Sequence, residues 1–312
     1  METAVVAVEP SSLGSSESSE RSGHAGWFRG ILVSLVVAVI GLAVGWAGGQ
    51  GSVVLLGLPL MVVATAVAFV VQWIAFIPSY LKQTEHYYDL TGGLTYQALT
   101  WGTLLAAGAF EPRQWLLVAL VALWSGRLGL FLFRRVKRAG KDGRFDDIKP
   151  DGGRFLIFWS VQGLWIVLTM AAALAVISLP ASAPLGVLDG IGAAVWLFGF
   201  AIEVVADRQK SAFKADPANE GRFINVGLWS WSRHPNYFGE IVLWIGVALI
   251  AFRDLEGWRL VTLVSPIFVF FLITFVSGIP MLEKRADERW GDDDDYQAYR
   301  ERTAVLVPRP PK

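Results

Sequence analysis

Eight apolar stretches alternate with short polar segments along the chain, at approximately 31–48, 53–79, 92–110, 115–133, 155–178, 186–206, 237–252 and 258–281. A helix needs about 20 residues to cross roughly 30 Å of hydrocarbon, so most of these runs have the length of a transmembrane helix. The third is diluted by Thr95, Gln97 and Thr100, and the seventh is short unless it borrows residues from its amphipathic start. Strict alternation of apolar and polar residues, the mark of barrel strands, is absent. The pattern predicts an all-α, polytopic membrane bundle of about eight transmembrane helices, with seven as the other count. Residues 1–30 read as a disordered N-terminal tail, 31–282 as the transmembrane domain and 283–312 as a C-terminal segment. Seven Ser between Ser11 and Ser22, together with Glu17 and Glu20, make the first segment a solvated tail and not a signal peptide.

Composition agrees with that reading. Hydrophobic residues make up 54% of the 312 positions and charged ones only 17%, which leaves too little polar surface for a soluble fold of this size. Zero Cys removes disulfides, thiolate metal sites and a Cys nucleophile from consideration. The net charge of zero hides an asymmetry. Segments 1–30, 80–91, 134–154, 207–235 and 282–312 hold two, one, eight, five and seven basic residues, 23 of the 27 Lys and Arg. Basic residues collect on the cytoplasmic side of membrane proteins, so both termini are expected in the cytoplasm. With a net charge of zero, no bulk electrostatic argument points to nucleic acid, and none is expected as a partner.

Ionisable groups inside a span are costly and mark either a site or a structural ion pair. Arg127 lies mid-span in Leu123-Trp124-Ser125-Gly126-Arg127-Leu128-Gly129. It reads as a functional cation or as the partner of Glu203 or Glu240. Glu203 and Asp207, four apart, share one helix face, although Asp207 also reads as part of a solvated end, Asp207-Arg208-Gln209-Lys210. The densest segment is Gly227-Leu228-Trp229-Ser230-Trp231-Ser232-Arg233-His234-Pro235-Asn236-Tyr237-Phe238-Gly239-Glu240. Pro235 suits the first turn of a helix, and Asn236, Glu240 and Trp244 then fall on one face. The free N–H groups of that helix start favour an anion, and Arg222 and Arg233 flank it. His234 has no second His or Cys at ligand spacing, so no metal site is expected. The tail carries Glu283, Arg285, the acidic run Asp292 to Asp295, Tyr296 and Tyr299. There is no G-x-G-x-x-G, G-x-x-x-x-G-K-[ST] or H-E-x-x-H, so a nucleotide would be held by membrane helices and their loops.

The Gly227–Ile241 string, Asp207-Arg208-Gln209-Lys210 with Phe213, the Gly143-Arg144-Phe145-Asp146 loop and Leu282-Glu283-Lys284-Arg285 resemble the bacterial branch of the steroid 5-alpha-reductase-like membrane proteins. The likeness spans roughly 80–310. It implies an NADPH-dependent oxidoreductase of the bacterial inner membrane that saturates a C=C bond conjugated to a carbonyl in a steroid-like or isoprenoid substrate drawn from the bilayer. The family pattern aligns without a gap on Gly227 to Ile241 and assigns cofactor contacts to Asn236, Arg222 and Tyr299. Looser matches are Arg127, Arg138 and Asp207. Arg233, His234, Tyr237 and Arg285 complete the expected cofactor set. Glu240 joins the catalytic set beside the nicotinamide amide, and Tyr87 or Tyr88 is the expected hydrogen-bond donor to the substrate carbonyl. Two departures stand out: the Tyr position three before the span-four Arg is Trp124, and span two offers Gln72 in place of a Glu.

The Arg-His-Pro-x-Tyr-x-Gly core also resembles isoprenylcysteine and phospholipid methyltransferases, which bind S-adenosylmethionine with that motif and a C-terminal acidic pair. Glu283 followed by Asp287 and Glu288 is an imperfect version of the pair. The density of basic residues at 207–235 and in the tail suits the polyanionic NADPH better than a compact cation. A non-enzymatic scaffold or transporter is a third class, and the absence of an inverted repeat or broken-helix pair argues against it.

Overall fold

The computed structural model describes residues 13–139 and 145–310, with side chains at 26–131 and 145–310. Eleven α-helices appear among the described residues: α1 (Leu13–Gly48), α2 (Leu60–Leu81), α3 (Tyr88–Ala107), α4 (Pro112–Ala139), α5 (Gly152–Thr169), α6 (Ala171–Ile177), α7 (Val187–Ala215), α8 (Pro235–Ala251), α9 (Val264–Phe271), α10 (Ile279–Trp290) and α11 (Asp294–Arg302). Seven helical segments among these residues are long and apolar enough to cross a membrane, which makes the chain a polytopic helical membrane protein. They are Gly26–Gly48, Leu60–Leu81, Pro112–Phe131, Gly152–Thr169, Val187–Ala215, Pro235–Asp254 and Gly257–Trp290.

Helix α3, the weak third run of the sequence, has 20 residues but not the apolarity. Its polar residues point inward: Thr95, Thr100 and Thr103 are all buried. The first two return their hydroxyls to the carbonyls of Thr91 and Tyr96 one turn back. At 1.5 Å per residue α3 is about 30 Å long. It starts where Tyr88 meets Phe145 and Trp159 and leads to α4, whose Arg113 is paired at the opposite end. Helix α3 therefore traverses the bundle beside the other seven segments.

Four expected elements differ in detail. Helix α1 reaches back to Leu13, into the segment read as a tail, while residues 1–12 lie outside those described. The second run does not start as helix at 53. Val54–Leu55 and Leu58–Pro59 pair as a two-residue antiparallel ribbon, turned by Leu56 and Gly57, both at positive φ (53° and 77°). Two successive positive φ values give the tight hairpin turn that matches strand twist. The fifth and eighth runs are interrupted. The fifth breaks at Met170 into α5 and α6, and the hydroxyl of Ser265 takes the carbonyl of Thr169 at the break. The eighth passes from a 3₁₀ turn (Gly257–Leu263) through α9 to a π-helical turn at Leu272–Val276, then restarts at α10 behind Pro280.

Every residue of α6 is fully buried, and this short segment fills the middle of the bundle between α3, α4 and α8. The two ends differ in character. At one end Arg113 has zero exposure. It donates to both oxygens of Asp189 (2.7 and 2.9 Å), to Asp254 (2.6 Å) and to the carbonyl of Pro184 (3.0 Å). At the other end the polar segment 80–91 meets 145–154 through Glu85 and Lys149, and 207–235 meets 282–310 through Arg233, His234 and Glu283.

Candidate functional site

The most extensive helix contact among the described residues is α7 on α8, and glycine permits it. A Cβ on Gly199 would sit 2.5 Å from the carbonyl oxygen of Gly239, and one on Gly239 would sit 2.5 Å from that of Gly199. Such backbone-to-backbone approach is how membrane helices gain packing energy where the solvent is as apolar as the side chains. One turn toward the polar end, this contact sets Glu203 and Asp207 of α7 against Asn236 and Glu240 of α8. Helix α4 contributes Arg127 between them.

Arg127 bridges the two α7 carboxylates. Its Nη2 donates to Glu203 Oε1, its Nη1 donates to Asp207 Oδ2 at 3.0 Å, and its guanidinium lies over the ring of Phe200. Asn236 Nδ2 faces Asp207 Oδ1 at 3.4 Å. Three hydrogen-bonding positions in this cluster are buried and unfilled: Arg127 Nε, Glu203 Oε2 and Asn236 Oδ1. Glu240, half-buried beside them, has no hydrogen bond or ion pair drawn to it among the described residues. Buried polar groups in native structures are almost always satisfied, so unfilled valences in one place indicate a missing partner. Two acceptors and one donor are on offer, and the three carboxylates outnumber the single guanidinium.

A second assembly fixes the entrance to α8. Glu283 of α10 accepts from Arg233 Nη1 (2.6 Å) and pairs with His234 Nε2 (2.7 Å), while the His234 ring stacks on Tyr237. Burial, opposed by the Glu283 contact, pulls the His234 imidazole below its ordinary pKa. Its Nδ1 is buried without a partner. Ser232 bonds the carbonyl of Leu306, and the backbone N–H of Arg233 donates to Ala304. Tyr299 donates to the carbonyl of Trp229 at 2.7 Å, and burial pushes its hydroxyl pKa up. Trp229 in turn donates to Ala206 of α7. The segment 227–235 is thereby clamped between α7 and the C-terminal helices, with Phe223 packed on Trp290, Tyr296 and Tyr299.

Comparison with known proteins assigns the chain at this point. Residues 75–303 match the model of a family described as a protein of unknown function, DUF1295. The chain belongs to the DUF1295 family. A relative in Schizosaccharomyces pombe, the uncharacterized protein C594.04c, is 27% identical over 145 residues, 40% of each chain. The chain thus spans about two fifths of the length of this relative. No solved structure matches.

The DUF1295 region contains both assemblies. Of the residues singled out in the sequence, Arg127, Asp207, Asn236 and Glu240 converge on the α4–α7–α8 cluster, whereas Arg233, His234, Tyr237 and Tyr299 belong to the clamp below it. Arg222 and Arg285 stand exposed at the same end, with no ion pair among the described residues. The side chain of Arg138 and the positions of Gly143 and Arg144 lie outside the described residues. Tyr87 and Tyr88 are placed elsewhere. Tyr87 is 57% exposed at the start of α3. The Tyr88 hydroxyl donates to the carbonyl of Phe158, and its ring packs on Phe145 and Trp159 in a separate aromatic cluster. Arg127 pairs with Glu203, as one of its two readings anticipated, and with Asp207 instead of Glu240.

Two residues gained importance only in the structure. Glu283, noted in the sequence as half of an acidic pair, is the single carboxylate that holds both Arg233 and His234. Tyr96 of α3 escaped notice because its neighbours are the Thr and Leu of a weak span. Its hydroxyl is buried beside that of Thr169, and its ring meets Trp124 edge-on at 5.2 Å.

Proposed function

We propose that this DUF1295 protein is an NADPH-dependent membrane reductase that saturates a C=C bond conjugated to the carbonyl of a lipophilic substrate. The observation that carries the reading is the set of unfilled valences at Arg127 Nε, Glu203 Oε2 and Asn236 Oδ1. One donor and two acceptors are the complement of a primary carboxamide, which presents two N–H groups and one carbonyl. The nicotinamide ring of NADPH carries such a group, so these residues fit the cofactor. Asn236, Glu203 and Arg127 would hold the amide, the first two as acceptors and Arg127 as donor, with Glu240 closing the side of the cradle. When bound, NADPH supplies the hydride. The free guanidinium groups of Arg222 and Arg285, exposed at the same end, suit its phosphates, for which Arg is the preferred partner. Asp207 keeps Arg127 oriented, and the clamp made by Glu283, Arg233 and His234 holds the first turn of α8 in place.

The basic bias of the segments at this end supports a cytoplasmic side for it and for both termini, on the face of the inner membrane where NADPH is found. Substrate enters sideways from the bilayer, because the cluster lies between helices that face lipid.

A second reading, S-adenosylmethionine-dependent methyl transfer, has one observation in its favour. Three carboxylates against one guanidinium make the cradle acidic, which suits a cationic sulfonium, and Glu283 pairs with the Arg and His of the shared motif. Thermal unfolding of the detergent-solubilised protein separates the two. NADPH is expected to raise the melting temperature in a saturable way and S-adenosylmethionine to leave it unchanged; stabilisation by S-adenosylmethionine alone would replace the reductase by the methyltransferase.

A further inference from the structure

A groove opens through the wall of the bundle toward lipid, between α2 and α3 at the Arg113 end. Its volume is about 180 Å³, and every residue that lines it except Thr103 is apolar or glycine. The floor is made of small residues: Ala98, Gly102 and Ala106 of α3 are exposed and spaced four apart on one face. The facing wall runs along α2 from Leu60 to Val67, which is 41% exposed. Leu55, from the ribbon that precedes α2, closes the groove at the membrane surface. From Ala98 to Ala106 the groove is about 12 Å long at 1.5 Å per residue. That is close to one leaflet, half of the roughly 30 Å of hydrocarbon.

Thr103 gives the groove its chemistry. It is 2% exposed, and its hydroxyl has no hydrogen-bond partner among the described residues. A buried Thr in a helix can return its hydroxyl to the carbonyl one turn back, as Thr95 and Thr100 of the same helix do. Thr103 makes no such bond to Leu99, so its donor is left for an acceptor that the chain does not supply. The depth of the hydroxyl identifies that acceptor. Trp101, Phe110 and Trp115 pack on one another at this end and are all exposed, as aromatic residues at headgroup level are. Thr103 is two residues, about 3 Å of rise, from Trp101. Acyl ester carbonyls lie at this level, and they accept without donating. A helix of a second copy fits less well: it is about 10 Å across, and a single turn fills on the order of 400 Å³, with Leu55 barring its passage along the groove. We propose that the α2–α3 groove binds one acyl chain of a glycerophospholipid from the leaflet on the Arg113 side, with the ester carbonyl of that chain accepting from Thr103. The site is separate from the cradle and does not depend on the reductase reading.

The test is native mass spectrometry of the full-length protein, titrated in detergent with a matched pair of phosphatidylglycerols: the dioleoyl diester and the dioleyl diether, which has the same chains without the carbonyls. The wild type is expected to retain one diester lipid with an affinity about fivefold above that of the diether, the value of roughly one hydrogen bond. Thr103→Val, which exchanges the hydroxyl for a methyl group, should bring the two affinities together without lowering the melting temperature of the delipidated protein. Gly102→Leu fills the groove, since a Cβ at Gly102 meets nothing within 4 Å. It should lose both lipids, and it serves as the second variant if Thr103→Val misfolds. No retained lipid in the wild type, equal affinities for diester and diether, or a preference that survives Thr103→Val would overturn the site. A dimer that forms in place of the lipid adduct and disappears in Gly102→Leu would overturn it as well, by giving the groove to a second copy of the chain.

Discussion

Removal of the Arg127 charge gives the sharpest energetic test of the cluster. In Arg127→Met, Glu203 and Asp207 lose their shared counter-ion while both remain buried, at 3% and 8% exposure. Glu240 lies close by, so three carboxylates are left facing one another without compensation. Breaking a buried ion pair from one side costs about 3–5 kcal/mol, because the remaining charge has lost its partner and cannot regain water. The variant should therefore lose most of that range in reversible unfolding from mixed detergent micelles. The double variant Arg127→Met/Glu203→Gln removes a charge from each side and should recover about 1–3 kcal/mol relative to the sum of the single changes. A cost below about 1 kcal/mol for Arg127→Met, or strict additivity in the double variant, would mean that Arg127 does not bridge these carboxylates in the folded protein.

Arg113→Met should destabilise by a similar amount, about 3–5 kcal/mol, since Asp189 and Asp254 then lose their cation. NADPH affinity should stay within about twofold, because the triad sits at the opposite end of the bundle; a larger change would contradict the separation of the two ends. Gly239→Val places a side chain where a Cβ would already lie 2.5 Å from the Gly199 carbonyl. It should push α8 from α7 and abolish cofactor binding at expression levels where Gly239→Ala retains some. His234 has a folded-state pKa below its ordinary 6.5, so the unfolded chain binds the extra proton first as pH falls. Its contribution to stability is therefore complete above 6.5 and declines below it, down to the depressed folded value. Melting temperature measured from pH 7.5 to 5.5 should fall on the acid side, and the slope should flatten in His234→Gln; an unchanged slope would assign the acid sensitivity to other groups.

The helices were legible in the sequence because hydrocarbon leaves the backbone no alternative: a chain without water must close its hydrogen bonds within each crossing segment. That logic marks where apolar residues run but not where a run breaks. The ribbon at 54–59 hides inside a run because Val, Leu and Pro are as apolar as a helix. The break at Met170 depends on a partner brought from another helix, the Ser265 hydroxyl on the carbonyl of Thr169, and the eighth run loses its α-helical register in the π-helical turn at Leu272–Val276. Of the site, the charges were readable, since Arg127, Glu203, Asp207 and Glu240 are conspicuous in apolar surroundings. Asn236 could be placed because Pro235 fixes the start of its helix. The burial of Tyr96, Trp124 and Trp244 was not readable, because in sequence they resemble interfacial anchors. Tyr87 and Tyr88 follow directly on span two in the sequence, whereas the chain turn at 82–87 carries them to the exposed start of α3 and to the Phe145–Trp159 cluster.

The most direct measurement is an NADPH fluorescence titration of the purified protein, wild type against Asn236→Ala. Wild type should enhance and saturate the nicotinamide emission, with energy transfer from the buried tryptophans. Asn236→Ala should bind at least about tenfold more weakly, the loss of roughly one buried hydrogen bond, at unchanged melting temperature of the free protein. No enhancement in the wild type, or equal affinity in the variant, would contradict the assignment of the α4–α7–α8 cluster as a nicotinamide cradle.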